Sequence, residues 1–161
     1  MRKMVSLGIL LAISLFLVNC ASAAPTQNPN NGHYYDVIIT PTTITWENAN
    51  LAAKYMGGHL ATITSQDEDN FITSLIPSFI WGHNYWIGGY QRACTKKSDQ
   101  GWVWVNCEKW NFTNWSPNEP NDGRVNENKL IFYPDTGKWN DDISKSEFAY
   151  GFIIEYDRGF K

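Results

Sequence analysis

From Met4 to Val18 the chain runs apolar to weakly polar, with Arg2 and Lys3 ahead of it and the small residues Cys20-Ala21-Ser22-Ala23-Ala24 behind. A basic start, an apolar middle and a small-residue end read as a secretory signal over residues 1–23, cut at an A-x-A site. The stretch is shorter than the roughly 20 residues a membrane span needs, and no second one follows. Leu17-Val18-Asn19-Cys20 also resembles a lipoprotein box in which Asn19 fits badly. Lipid anchoring through Cys20 is therefore the alternative to free export, and a plain N-terminal helix is a third reading. Residues 25–32 are turn formers without apolar periodicity, so 24–32 is expected to be a flexible leader.

Beyond the leader, Tyr34-Tyr35-Asp36-Val37-Ile38-Ile39 is rich in β-branched and aromatic residues and predicts a strand. Trp46, Ala49, Ala53 and Met56 then fall at helical spacing, with Thr42 or Thr43 as the expected cap and Gly57-Gly58 as the stop. Leu60-Ala61-Thr62-Ile63 predicts a short strand. Ser65, with Glu68 three residues on, forms a capping box for a second helix whose apolar face is Phe71, Ile72, Leu75 and Ile76. From Trp81 onward short strands take over: Tyr85-Trp86-Ile87-Gly88, Trp102-Val103-Trp104-Val105, Lys129-Leu130-Ile131-Phe132 and Phe152-Ile153-Ile154-Glu155. Between the second and third of these lies a polar, Pro- and Asn-rich loop over about residues 110–128. Loops of that length inside a compact domain are usually functional.

A length of 161 residues suits one domain. With 43% apolar, 15% aromatic and 18% charged residues, the chain is neither disordered, nor a coiled coil, nor collagen-like. Its net charge of -3 becomes more negative once Arg2 and Lys3 leave with a signal, so neither nucleic acid nor an anionic membrane surface is an expected partner. After the cut, Cys94 and Cys107 remain, in a compartment where disulfides persist. They are expected to pair, closing a loop worth about 3 kcal/mol; two free buried thiols are the alternative.

The loop and its sequel concentrate hard oxygen donors in Glu119-Pro120-Asn121-Asp122, Glu127-Asn128 and Trp139-Asn140-Asp141-Asp142, without a His or Cys among them. That set suits Ca²⁺ far better than zinc or copper. Glu119, Asn121, Glu127, Asn140 and Asp141 converging on one point would leave one or two of the roughly 6–8 oxygen positions of Ca²⁺ open to water or a ligand. On residue types alone, a merely solvated acidic loop is an equal alternative.

Over about residues 33–157 the sequence resembles the C-type lectin-like domain. The resemblance rests on the order and spacing of Thr45-Trp46-Glu47-Asn48-Ala49, Gly57-Gly58-His59-Leu60-Ala61-Thr62-Ile63, Trp86-Ile87-Gly88-Gly89, Asn114-Trp115, Glu119-Pro120-Asn121, Trp139-Asn140-Asp141 and Phe152-Ile153-Ile154-Glu155. It implies an α+β fold with two helices flanking mixed and antiparallel sheets, residues 158–161 forming a tail. It further implies a Ca²⁺ site of Glu119, Asn121, Glu127, Asn140 and Asp141 in the long loop, with Pro120 in the cis form.

In such a site two adjacent equatorial hydroxyls of a sugar complete the metal shell. They also hydrogen-bond Glu119, Asn121, Glu127 and Asn140. The Glu-Pro-Asn order resembles the mannose-type subgroup, which implies mannose, glucose, N-acetylglucosamine or fucose as ligand. Affinity at one such site is millimolar in order, about -4 kcal/mol, so clustered copies or a homo-oligomer would supply avidity.

The chain departs from the family where its usual disulfides would lie. Ala53 and Ile154 occupy the positions of one bridge, expected to pack together instead, and Lys129 occupies a position of the other. Together with the signal, this bridge-poor pattern suggests a bacterial or other divergent member. Gln91 stands where an Asp of the auxiliary Ca²⁺ site is usual, so a second ion is not expected.

Most of the eight Trp fall inside structural motifs and are expected in the core, with Trp110, Phe112 and Tyr133 nearer the site. His33, His59 and His83 are scattered, without ligand spacing. Asn111-Phe112-Thr113 and Asn114-Trp115-Ser116 fit the N-glycosylation pattern, relevant to a eukaryotic route. A non-enzymatic, exported lectin leads. A module of the same fold binding a protein, lipid or surface without sugar is the alternative, and a small hydrolase with Glu119 and Glu127 as its carboxylate pair is the third.

Overall fold

The structure, a computed structural model, describes residues 24–77, 82–93, 95 and 97–157. The expected signal segment with Cys20, the cysteine Cys94 and the expected tail 158–161 lie outside the described residues.

The elements follow as β1 (Thr26–Gln27), β2 (Tyr34–Ile39), α1 (Trp46–Tyr55), β3 (His59–Leu60), α2 (Gln66–Leu75), β4 (Asn84–Gln91), β5 (Trp102–Trp104), β6 (Lys129–Tyr133), β7 (Lys138–Asp142) and β8 (Ala149–Tyr156). They form one eight-stranded sheet in the order β1-β2-β8-β4-β6-β7, with β3 added to β8 and β5 to β4. All pairings are antiparallel except β4 with β8, so the fold is the expected α+β architecture with two helices and a mixed sheet.

Strands β4, β6 and β8 read as near-continuous apolar runs because both their faces are covered. Tyr85, Ile87, Leu130, Phe132 and Ile153 enter one core with Ile72 of α2, while Trp86, Ile131, Phe152 and Ile154 enter a second core with Trp46, Ala49 and Ala53 of α1. Ala53 and Ile154 are both fully buried in that second core, as expected of apolar packing in place of a bridge. Where β2 and β4 flank β8, only glycine fits: a Cβ on Gly151 would run into the Ile38 carbonyl and the Tyr85 ring.

Several local expectations are corrected. The first helix is capped by Thr45, whose side chain accepts the Asn48 N–H at 3.3 Å, rather than by Thr42 or Thr43. Ile44 and Trp46 donate their N–H groups to Ala149 and Ser144, which keeps residues 44–46 tied to the β8 side until the helix starts. The strand expected over 60–63 ends at Leu60, because Thr62 and Thr64 give their N–H groups to the carboxylates of Glu155 (2.8 Å) and Glu68 (2.7 Å). Ser65 caps α2 as read, but Glu68 reaches Thr64 instead of closing the box on Ser65. The leader holds β1, turned back onto β2 by Asn28 and Gly32.

Candidate functional site

The loop between β5 and β6 carries no strand of its own, yet it is stapled down at both ends. At its base Trp115 bridges to Trp139, Ser116 donates to the Trp139 carbonyl (2.8 Å) and Trp139 to that of Asn114 (3.0 Å). Buried Asp69 of α2 accepts the Trp139 indole N–H (2.9 Å) and the Asn114 amide (3.0 Å), fixing loop and strand to the helix. Burial outweighs these hydrogen bonds and lifts the Asp69 carboxyl to about 6.

The expected donors Asn140 and Asp141 lie beyond the long loop, on strand β7, which pairs with β6 and sets Asp141 opposite Leu130. Asp141 is fully buried, and its two oxygens accept the N–H groups of Asn121 (3.0 Å) and Asp122 (2.9 Å). Asp122 in turn accepts the Glu127 N–H at 3.0 Å. Asn118, Asp122 and Asn126 adopt positive φ of 70°, 50° and 70°, which Asn and Asp tolerate best among residues with a side chain. The Glu119–Pro120 peptide is cis, as expected.

These contacts bring the acids together. Glu119 is half-buried beside Asp141 and the Asn121 backbone, and its buried Oε2 has no hydrogen-bond partner. Burial, then a hydrogen bond to Asp141 and the charges of Asp141 and Glu127, push its carboxyl up to about 7 against the opposing Asn121 N–H. Burial also raises Glu127, opposed by the N–H groups of Arg124 and Gly123 and reinforced by the charges of Asp141 and Asp142. Tyr133, desolvated and facing Asp142, Glu119 and Glu127, is held up at about 12 and stays a neutral donor.

Asn121 and Glu127 face a common point. A Cβ on Gly123 would sit 2.5 Å from Asn121 Oδ1 and 3.6 Å from Glu127 Oε2, so the absence of a side chain there keeps a small space open between the two oxygens. Asn140 lies half-buried on β7 beside Asp141. Five hard-oxygen residues and a shared excess of negative charge fit a hard divalent cation. The acids are looser than a closed metal cage: among the described residues, groups of three with ligand atoms within 4.8 Å are His33–Glu68–Glu155 and His59–Glu155–Asp157.

Those two groups went unseen in the sequence because their members are distant in the chain. His33 Nδ1 meets Glu155 Oε1 at 2.6 Å, and His59 Nε2 meets Asp157 at 3.0 Å. Tyr35, Asn31, Thr62 and Thr64 satisfy Glu68 and Glu155, so the cluster is a hydrogen-bonded knot joining β2, β8 and α2.

Trp110 and Phe112, placed near the site by sequence, instead pack on the core aromatics, with Trp110 4.5 Å from Trp104 and Phe112 5.7 Å from Trp139 between ring centroids. Gln91, in the auxiliary position, turns its amide nitrogen onto the carbonyls of Lys97, Ser98 and Gln100 and closes a neighbouring turn. Lys129, in a missing bridge position, lays its ammonium 4.7 Å from the Trp46 ring and 3.7 Å from Glu47. Cys107 is exposed and unpaired among the described residues. Among those residues no helix is long and apolar enough to cross a membrane.

Residues 42–150 match the family model for the lectin C-type domain. A protein named lectin from Pleurodeles waltl is 33% identical over 129 residues, covering 76% of this chain and 69% of that protein. Perlucin from Haliotis laevigata is 34% identical over 107 residues, and the match spans 65% of this chain and 65% of perlucin. In fold, the chain is similar to the cow C-type carbohydrate-recognition domain of CD23, solved in the presence of a GlcNAc2Man3 oligosaccharide. That likeness has a TM-score of 0.67 at 23% identity, over 88% of this chain and 96% of that one. All three are animal proteins, which leaves the expected bacterial origin without support.

Proposed function

Since the chain belongs to the C-type lectin domain family, a family of non-enzymatic binding modules, we propose that it binds carbohydrate through a Ca²⁺ ion held by Glu119, Asn121, Glu127, Asn140 and Asp141. The observation that carries this reading is the buried, partnerless Glu119 Oε2 set among like charges. A buried carboxylate oxygen without a donor is costly, and a cation drawn in by the surrounding acids removes that cost.

Bound Ca²⁺ supplies open coordination positions that two adjacent hydroxyls of a sugar can fill. The residues do the rest. Glu119 and Glu127 accept hydrogen bonds from those hydroxyls, and the amides of Asn121 and Asn140 donate to them. Asp141, clamped on the backbone of Asn121 and Asp122, orients the loop and adds charge without facing solvent.

The Glu119-Pro120-Asn121 order supports mannose-type sugars: mannose, glucose, N-acetylglucosamine or fucose. The signal-like N-terminus supports export, with a Cys94–Cys107 bridge formed on the way, and millimolar affinity at a single site would call for several copies acting together.

Calorimetry with Asn121→Ala tests the reading. Sugar binding should vanish while the fold, judged by melting, persists; sugar binding that survived would contradict it.

A further inference from the structure

A groove of about 400 Å³ runs beside the loop, between the Ser116–Pro117 turn, Tyr133, Thr136 and Phe148. Its volume lies in the range of small-molecule sites. Both walls are built onto the residues of the proposed sugar site. On one side the Ser116 carbonyl accepts the Glu119 N–H at 3.0 Å, so groove wall and ligand turn move as one. On the other, Phe148 donates its N–H to Ser146 Oγ (3.1 Å), and Ser146 donates to Asp142 (2.5 Å), the residue after Asp141. The Phe148 carbonyl is held by the Asn84 N–H at 3.1 Å.

Phe148 is only half covered. It is 47% exposed, with Tyr55 one of the two exposed aromatic side chains among the described residues, and the Arg124 guanidinium of the site loop lies 5.8 Å from its ring centroid. An exposed, backbone-fixed ring is a surface on which the C–H face of a pyranose stacks. The hydroxyls of Ser116, Tyr133 and Thr136 give the groove a polar edge.

Charge narrows the occupant. The lining itself carries one carboxylate, Asp135, and one ammonium, Lys138, so it favours neither sign of charge and suits a neutral sugar.

We propose that this groove holds the second, neutral hexose of a glycan whose terminal sugar sits on the loop, with Phe148 as its stacking platform. The proposal rests on the calcium-dependent reading of the loop and deepens it, from single sugars to oligosaccharides.

The test is calorimetry of the Ca²⁺-loaded mature chain with methyl α-mannoside and with α-linked mannobiosides. One mannobioside should bind about tenfold more tightly than the monosaccharide, a difference of about 1.4 kcal/mol. Phe148→Ala should reduce that ratio to near one without changing monosaccharide affinity or the Ca²⁺-dependent melting rise, and Phe148→Tyr should restore it. Lys145→Ala, in the groove on the other flank of the loop, should leave the ratio intact. A ratio untouched by Phe148→Ala, or a wild-type ratio of one, overturns the groove and leaves the loop standing. Absence of monosaccharide binding overturns both.

Discussion

The buried carboxylate of Asp141 accepts the backbone N–H of Asn121 at 3.0 Å, across 20 residues of sequence. That hydrogen bond couples strand β7 to the loop, and with its companion from Asp122 it makes the loop's shape depend on one side chain.

Asp141→Asn should therefore act on loop and ion together. The amide leaves one of the two loop N–H groups facing a donor, a cost of about 1–3 kcal/mol, and removes a negative charge. A lowered melting temperature and a Ca²⁺ affinity weaker by on the order of 100-fold are expected in thermal unfolding and calorimetry. An unchanged Ca²⁺ affinity would remove Asp141 from the site.

Glu119 sets a pH dependence with a definite sign. Its carboxyl is raised from 4.5 to about 7 in the folded, metal-free protein. The stability this gives is present below 4.5 and is lost as pH rises through about 7. Metal-free protein should therefore lose stability from its Glu119 contribution over that window, and Glu119→Gln should flatten the loss. Because Ca²⁺ binds the ionised form, its affinity should weaken as pH falls below about 7, with protons released on binding. Calcium titrations at several pH values check both signs.

Gly123→Ala isolates the space between Asn121 and Glu127. The new methyl would press on Asn121 Oδ1 at 2.5 Å, in an exposed part of the loop remote from the cores. Metal-free melting should hold, while Ca²⁺ and sugar affinity fall by about tenfold, roughly 1.4 kcal/mol. Equal affinity in the variant would show that the two oxygens do not share a ligand.

The two glycosylation patterns separate structurally. Asn111 is exposed, whereas Asn114 is buried with its amide donating to Asp69 (3.0 Å) and Gly137 (2.8 Å). Expressed through a eukaryotic secretory route, the chain should carry glycan at Asn111 and none at Asn114. Asn111→Gln should abolish the mobility shift on glycosidase treatment.

Much of this was legible in the sequence wherever periodicity or residue type is a local signal. The apolar runs gave β2, β4, β6 and β8, the spacing of Trp46, Ala49 and Ala53 gave α1, and the oxygen-rich segments around Glu119 and Asp141 marked the loop. What was hidden depended on partners far along the chain. Trp139-Asn140-Asp141-Asp142 shows oxygen donors without the strand they form, and only the donors from Asn121 and Asp122 make an inward Asp141 tolerable there. Thr62 lies in the strand expected over 60–63, but Glu155 takes its N–H group, as Glu68 takes that of Thr64 just beyond. Trp110 and Phe112 lie near the acids in sequence, yet the indoles of Trp104 and Trp139 draw them into the core.

The most direct measurement is a thermal shift of residues 24–161 in Ca²⁺, in EDTA, and in Ca²⁺ with high mannose. The account predicts a higher melting temperature in Ca²⁺ than in EDTA, following RT ln(1 + [L]/Kd), and a further rise with mannose. Identical melting in Ca²⁺ and EDTA would contradict the proposal that Glu119, Asn121, Glu127, Asn140 and Asp141 hold the ion.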